Sequence, residues 1–273
     1  MKLPEGVFLG RRQQTWERQG FVLTLSLYEP KRELPWHAHA NPSLFLVLRG
    51  EHRDRARDGD YDQPELGLVF HPTTEPHAGV IGPRGALGLN IEYTSLWLER
   101  HEVREQDLGG LRPLDSVSTR LQVLQFLGAV FQDGPPAAAE SENHAVELLE
   151  PLVALKTQAA LGPRPRWFRR AEDYIREEFR SPITLRACAR AAGIHPVHLA
   201  RVFRQRYGCS VSEYLRALRL LEAGRLILHD NVSIARAAHR AGFADHAHFT
   251  RSCSRQFGFT PRVLRLARRN LHF

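Results

Sequence analysis

The sequence of 273 residues contains few cysteines and no long apolar segment. Its three cysteines, Cys188, Cys209 and Cys253, form no CxxC pair, which argues against a zinc site or a disulfide framework. The longest apolar run, residues 44–48, has the length of a strand and falls far below the ~18 residues of a membrane span. The N-terminus also lacks the apolar core of a secretion signal. We therefore expect a cytoplasmic protein with buried thiols and no membrane partner.

Lysine is absent from residues 163–273, where all 22 basic residues are arginines. Because this segment holds 8 acidic residues, its net charge is +14, whereas residues 1–162 hold 16 basic and 22 acidic residues and carry −6. Concentrated positive charge attracts the phosphate backbone of DNA through the release of counterions. A solvated arginine-rich surface has the same composition, so charge alone does not establish a DNA partner.

The basic segment contains two copies of one pattern, at residues 183–211 and 232–261. Each copy reads as a short alanine-rich helix, an Ala-Gly turn and a second helix with arginine on its outer side, which is the helix-turn-helix pattern. Thr184 and Ser233 are suitable N-caps for the first helix of each copy. Ser210 and Glu213 predict a capping box for a long helix, about residues 211–229, that joins the copies.

The second helix of each copy is the one expected to enter a major groove of DNA. With Leu199 buried in the first copy, helical periodicity predicts an outer face made of Val197, Ala200, Arg201 and Arg204. With Phe249 buried in the second copy, the corresponding face contains His246, Ala247, Thr250 and Arg251, followed by Arg255.

These outer faces carry side chains that suit base recognition and phosphate binding. Arginine can form two hydrogen bonds with a guanine edge, and the methyl groups of alanine and threonine suit the thymine methyl. We predict that Arg201 and Arg251, which are equivalent in the repeat, read bases, and that Arg204 and Arg255 contact phosphates. The alternative for each residue is a solvated helix face.

The N-terminal third reads as short strands separated by turn signals, which favours a small barrel or sandwich. His37 and His39 lie two residues apart, so on a strand both imidazoles share one face, and His77 follows on a later strand. The three histidines could bind a metal ion, contact an organic effector, or form hydrogen bonds inside the barrel.

Two helices are predicted after the strands. Apolar residues recur at helical spacing over 117–131, and residues 133–136 (Asp-Gly-Pro-Pro) end this helix. A second helix is expected at 144–161, with Pro151 as a kink. This pair either takes part in self-association or caps its own domain. Two prolines in residues 162–166 then predict a stiff domain boundary.

The C-terminal pattern resembles the AraC/XylS family of bacterial transcription regulators over about residues 167–269. The most diagnostic stretch is residues 242–245 (Gly-Phe-Ala-Asp), followed by Phe249 and by residues 257–261 (Phe-Gly-Phe-Thr-Pro). The resemblance implies two helix-turn-helix units that read successive major grooves of promoter DNA, with RNA polymerase as a further partner. It places the base-reading positions where helical periodicity placed them. Cys253 and Ser254 depart from the family pattern, so looser packing and weaker binding are expected of the second unit.

The N-terminal pattern resembles the cupin barrel, the sensory domain of many such regulators. The resemblance rests on the His-x-His pair, on Gly50 and on the later Pro76 and His77. It implies a site for a small-molecule effector. Metal-binding cupins carry a glutamate where this chain has Ser43, so we assign no metal to the histidines and expect no cofactor.

Together these features predict an α+β multidomain protein. A cupin-like β-barrel sensor occupies residues 1–100, a helical linker with a role in homodimerisation occupies 101–162, and an all-α domain with tandem helix-turn-helix units occupies 163–273. The predicted function is an effector-controlled, sequence-specific transcription regulator. The alternatives are a metal-dependent cupin enzyme with an attached DNA-binding module, which Ser43 disfavours, and a constitutive DNA-binding protein whose barrel serves only dimerisation.

Overall fold

The computed structural model describes residues 1–18, 20–131, 138–152, 163–230 and 232–271. Within these residues the chain forms two compact units. The sheet-rich unit contains residues 1–123 and 138–152, and the helical unit contains residues 124–131 and 163–271. The predicted division into strands followed by helices is confirmed at this coarse level.

The described part of the sheet-rich unit contains nine strands. They are β1 (Lys2–Leu3), β2 (Arg11–Arg18), β3 (Phe21–Tyr28), β4 (Glu33–His39), β5 (Ser43–Ala56), β6 (Gly59–Gln63), β7 (Leu68–His71), β8 (His77–Tyr93) and β9 (Arg112–Leu114). Their order is β1-β4-β8-β5-β7-β9, with β2 and β3 joined to β8 through β3 and with β6 paired to β5. Among the described strands no pairing joins β1 to β9, so the sheet is not closed. The sheet is confirmed, whereas the predicted closed cupin barrel is not.

The long strand β8 organises this sheet because it pairs with β3, β4 and β5. On β3, the alternation of apolar and polar residues predicts one solvated face, yet Thr24 and Ser26 are both buried. Asn90 on β8 binds both residues, since its side-chain amide donates to the backbone oxygen of Thr24 (3.3 Å) and to Ser26 Oγ (3.4 Å). The Ser26 hydroxyl thus has a cross-strand partner, whereas the buried Thr24 hydroxyl forms no hydrogen bond within the described residues.

The helices that follow the strands are α1 (Ser95–Arg100), α2 (Glu105–Leu108), α3 (Val117–Phe131) and α4 (Ala138–Glu147). Helix α3 has the predicted bounds. The second predicted helix begins earlier than expected, at Ala138, and a turn at residues 148–149 follows α4. The predicted stop at 133–136 and the second half of the predicted helix, residues 153–161, lie outside the described residues.

The helical unit contains α5 (Arg166–Glu178), α6 (Leu185–Ala192), α7 (Pro196–Tyr207), α8 (Val211–Leu228), α9 (Ile234–Arg240), α10 (His246–Phe257) and α11 (Pro261–Asn270). The predicted long helix between the repeats is α8, and its capping box between Ser210 and Glu213 is present. No helix in the described part of the chain is long and apolar enough to cross a membrane.

An aromatic cluster forms the core beneath α7. Phe203 is fully buried, and its ring lies 5.8 Å from Phe168, 4.7 Å from Tyr207 and 5.2 Å from Tyr214, measured between centroids. The sequence of this helix predicts Trp167, Tyr174 and Phe179 as core residues; Phe179 is buried, whereas Trp167 and Tyr174 are only half-buried. The inward face of α5 begins one residue later, at Phe168, because that residue shares a helical face with the buried Ala171 and Ile175.

Candidate nucleic-acid interface and buried histidine cluster

The first helix-turn-helix unit consists of α6, a tight turn and α7. Thr184 Oγ1 accepts a hydrogen bond from the backbone N–H of Ala187 (3.2 Å), which starts α6 as predicted. Gly193 ends α6 with φ +71°, a left-handed conformation that favours glycine. The backbone N–H of Val197 then donates to His195 Nδ1 (3.3 Å), so His195 caps α7 ahead of Pro196. This role of His195 was not anticipated from the sequence.

The second unit repeats this construction with different caps. Ser233 Oγ accepts from the backbone N–H of Arg236 (3.2 Å) at the start of α9. Asp245 Oδ1 accepts from the backbone N–H of His248 (2.6 Å) at the start of α10, and this bond holds the pKa of Asp245 below its usual value. Between the helices, Gly242 adopts φ +86°, and an added Cβ would collide with the carbonyl oxygen of Arg180. The turn therefore requires glycine.

All nine residues predicted to bind DNA lie away from the core of the helical unit. Seven are exposed: Val197, Arg201, Arg204, His246, Ala247, Arg251 and Arg255. The other two, Ala200 and Thr250, are half-buried, and the Thr250 hydroxyl donates to His246 O (2.9 Å). Contact between these residues and DNA stays a prediction.

The arginines of this unit fall into two groups according to their partners. Some bind groups inside the unit: Arg219 donates to Phe179 O (2.7 Å) and Ser181 O (2.8 Å), and Arg268 donates to Leu228 O (2.6 Å). These arginines hold the fold together through charge-assisted hydrogen bonds to backbone carbonyls.

The arginines on the two outer faces have fewer partners. Within the described residues, Arg204, Arg251 and Arg255 form no ion pair. Arg201 lies against His198, with 3.3 Å between Nη2 and Nδ1. The His198 ring lies 5.0 Å from the ring of Trp167. The guanidinium groups of Arg204, Arg251 and Arg255 are thus available to an external ligand, which the arginine count alone did not establish.

The unusual residues of the second unit, Cys253 and Ser254, lie on α10. Cys253 is fully buried, burial raises the pKa of its thiol to about 12, and the neighbouring Ser252 is also buried. Ser254 is half-buried. A small thiol therefore occupies a core position where the resemblance leads one to expect an aromatic residue. The looser packing expected of this unit stays a prediction.

In the sheet-rich unit, strands β4 and β8 bring the three predicted histidines together. His37 and His77 are cross-strand partners, and His39 lies two residues along β4 on the same face. The ring centroid of His77 lies 4.3 Å from that of His37 and 5.2 Å from that of His39. All three are buried.

Sequence reasoning missed further members of this cluster on β5 and β7. His71 stacks on His77 with 4.0 Å between ring centroids, and its Nε2 donates to Asp54 Oδ1 (3.1 Å). Asp54 is fully buried, with its Oδ2 atom 3.5 Å from His52 Nδ1. The available signal was alternation, because His52 and Asp54 point inward on β5 while Arg53 points outward. Hydrophobicity did not reveal it, since both faces are polar there.

Burial determines the protonation of this cluster. It lowers the pKa of His39 to about 2 and also lowers the pKa of His37 and His77, so these imidazoles are neutral near pH 7. Burial alone would raise the pKa of Asp54, but His52 and His71 outweigh it and hold that pKa below its usual value. The arrangement therefore presents three neutral imidazoles, those of His37, His39 and His77, near one buried carboxylate.

Comparisons with known proteins agree with the helix-turn-helix geometry. Residues 188–267 match the family described as helix-turn-helix domain. The chain is 33% identical over 245 residues to the HTH-type transcriptional regulator YpdC of Escherichia coli strain K12, covering 81% of this chain and 80% of YpdC.

Two further relatives differ in how much of their length is matched. The virulence regulon transcriptional activator VirF of Yersinia enterocolitica is 27% identical over 250 residues, which cover 84% of this chain and 91% of VirF. The HTH-type transcriptional regulator GlxA of Rhizobium meliloti strain 1021 is 39% identical over 84 residues, which cover 31% of this chain and 26% of GlxA.

Proposed function

Because the chain belongs to the AraC family of DNA-binding transcriptional regulators, we propose that α7 and α10 read two adjacent major grooves of promoter DNA. One observation carries this proposal: Arg201 and Arg251 occupy equivalent positions of the two units, and both are exposed. The relatives reported above are regulators of transcription, so the chain is a regulator and not an enzyme.

The outer residues contact different parts of the DNA according to the chemistry of their side chains. Arg201 and Arg251 donate to guanine edges, whereas Arg204 and Arg255 bind phosphates on either side of the groove. The remaining contacts are apolar or involve an imidazole, and they come from Val197, Ala200, His246, Ala247 and Thr250. The base readout of the first unit therefore depends mainly on Arg201.

The sheet-rich unit is proposed to sense a small effector in a cupin-like domain at residues 1–100. Residues 101–162 would transmit its binding and contribute to a homodimer, and residues 163–273 would hold the DNA reader. The effector controls DNA binding only if it binds the active arrangement more tightly than the inactive one. Such a regulator acts in the cytoplasm beside its promoter, with RNA polymerase as a further partner.

Genome-wide selection of DNA fragments with the purified full-length protein tests this proposal. The selection is run at physiological salt with nonspecific competitor DNA, which suppresses binding by charge alone. We expect a motif in two parts, with centres about one helical turn apart. A single enriched half would contradict reading by both units, and binding without any enriched motif would contradict sequence-specific recognition.

A further inference from the structure

The buried polar groups of the sheet-rich unit form two triads with metal-ligand spacing. The first consists of His37, His39 and His77, and the second of Asp54, His71 and His77. Within each triad, one ligand atom from each residue lies within 4.8 Å of the others. Ligands bound to one transition-metal ion at about 2.1 Å lie roughly 3.4–4.2 Å apart. His77 belongs to both triads, so the two sets of side chains lie next to each other around this histidine.

Two of these histidines have a tautomer that suits metal binding. His37 Nδ1 lies 2.8 Å from Pro35 O, and His77 Nδ1 lies 3.3 Å from Glu75 O. Since a carbonyl only accepts, each Nδ1 must carry the proton, which leaves the Nε2 lone pair free. Metal-binding histidines are usually oriented by such a hydrogen bond on the other ring nitrogen.

Asp54 supplies the negative charge that the cluster needs as a cation site. Its side chain is fully buried, yet Oδ2 forms no hydrogen bond in the part of the chain that the structure describes. The nitrogen His52 Nδ1 lies 3.5 Å from Oδ2, beyond a good hydrogen bond, so a cation near this buried carboxylate would compensate its charge. Ser43 replaces the glutamate of the cupin pattern, but Asp54 brings a carboxylate to the same group of histidines from another position on β5.

The space inside the cluster fits an ion and not an organic molecule. The cavity has a volume of about 20 Å³, and its lining includes the two triads, His52 and apolar side chains such as Phe8 and Phe45. A single water molecule needs roughly 10–15 Å³ of such space, whereas pockets for organic ligands measure roughly 300 Å³ or more.

The ligand chemistry narrows the choice of ion. Imidazole nitrogen with one carboxylate suits divalent first-row transition metals, whereas calcium and magnesium prefer sites made of oxygen ligands. The three cysteines of the chain lie at positions 188, 209 and 253, in the helical unit, so no thiolate joins this group.

We infer that His37, His39 and His77 bind one divalent first-row transition-metal ion, that the neighbouring Asp54–His71 pair balances its charge, and that this ion is the effector of the regulator. The effector role rests on the proposed function, whereas the binding site rests on the geometry of the cluster alone.

Titration of the chelator-treated full-length protein with Co²⁺ tests the site, because cobalt bound to nitrogen ligands absorbs visible light. We expect the absorption to saturate at one Co²⁺ per chain and to disappear when Zn²⁺ is added. His77→Ala, which removes the residue shared by both triads, should abolish it, and Asp54→Asn should weaken it at least tenfold. His144→Gln, a histidine outside the cluster, is the matched control and should bind as the native protein does.

Circular dichroism of each variant confirms that loss of cobalt does not reflect unfolding, and His39→Ala serves as the second variant if His77→Ala unfolds. Absence of stoichiometric Co²⁺ binding by the native protein would overturn the site. Equal binding by the native protein and a folded His77→Ala or His39→Ala variant would overturn the assignment of ligands.

Operator affinity measured with and without Co²⁺ tests the effector role. We expect a change of at least about fivefold in the native protein and in His144→Gln, and none in His77→Ala. Bound cobalt with unchanged operator affinity would overturn the effector role. Bound cobalt without any operator recognition in either condition would instead contradict the proposed function, while the metal site would stand.

Discussion

The two units of this protein treat ionisable side chains in opposite ways. The sheet-rich unit buries the Asp54 carboxylate and five histidines against one another, whereas the helical unit exposes arginines along α7 and α10. An exposed cation keeps its hydration and remains available to DNA, but a buried charge must find partners inside the fold. Substitutions on the outer faces of α7 and α10 should therefore cost little stability, and DNA binding by these faces should depend on salt concentration. The stability of the buried cluster should instead depend on pH and on metal ions.

The largest expected effect is the difference in stability between a substitution in the core of the helical unit and a substitution on its outer face. Phe203→Ala removes a fully buried ring from the aromatic cluster and should lower the free energy of unfolding by about 3–5 kcal/mol. Val197→Ala on the same helix removes a side chain that is 69% exposed and should change it by less than about 0.5 kcal/mol. Urea denaturation, monitored by hydrogen exchange of the helical unit, measures the free energy of unfolding of both variants. Equal losses of stability would contradict this assignment of faces.

The next effect compares the two recognition helices with each other. Arg201→Ala and Arg251→Ala should each weaken binding to the selected operator by about 1–3 kcal/mol and relax base preference at one position. Arg170→Ala, an exposed arginine on α5, is the matched control for loss of one charge. Operator affinities at several salt concentrations provide the measurement.

The double variant Arg201→Ala/Arg251→Ala tests whether the two helices act independently. If each reads its own groove, the two losses should add to within about 0.5 kcal/mol. An unchanged ratio of specific to nonspecific affinity in either single variant would refute base reading by that arginine.

A fall in pH should act on the sheet-rich unit first. His39 has a pKa of about 2 in the folded chain and about 6.5 when unfolded, so below pH 6.5 the unfolded chain binds a proton that the folded chain excludes. Between pH 6.5 and pH 5.5, proton uptake by His39 in the unfolded chain should by itself lower the free energy of unfolding by about 1 kcal/mol. Well above pH 6.5, His39 is neutral in both the folded and the unfolded chain, so its titration then costs no stability.

Hydrogen exchange of the chelator-treated protein at pH 7.5, 6.5 and 5.5, corrected for intrinsic exchange rates, measures this loss in each unit. His39→Gln, which cannot titrate, should show a shallower dependence on pH. Destabilisation confined to the helical unit over this range would be the wrong result for a buried neutral histidine.

The smallest effect probes what the two helix-turn-helix units have in common. Thr184→Ala and Ser233→Ala each remove one N-cap hydrogen bond of 3.2 Å and should lower the free energy of unfolding by about 0.5–1 kcal/mol. The two losses should be nearly equal because both caps are exposed and both begin short helices. Thermal denaturation compares them, and Thr184→Ser keeps the cap as a control.

Much of the helical unit could be predicted because its signals are local. The caps at Thr184, Ser210 and Ser233, the long helix and the outward position of Arg201 and Arg251 all follow from spacing along one segment. The wrong predictions concern residues whose burial depends on packing against another helix. Trp167 was assigned to the core, but packing against α7 buries Phe168 instead.

The histidine cluster was only partly predictable. The His-x-His spacing placed His37 and His39 on one face, and the later motif added His77. Asp54 and His71 join them only because β5, β7 and β8 lie side by side in the sheet. Long-range strand pairing leaves little trace in a single sequence, since a polar residue on a strand reads the same whether it faces water or a buried partner.

The sequence by itself determined the repeat, the charge of its segment and the faces of its recognition helices, because helical periodicity and capping act over a few residues. Only the tertiary structure decided which arginines are used inside the fold and which remain available. It also decided that a carboxylate and four histidines from four strands surround a space the size of one ion. Burial and convergence are properties of packed strands, and no local pattern specifies them.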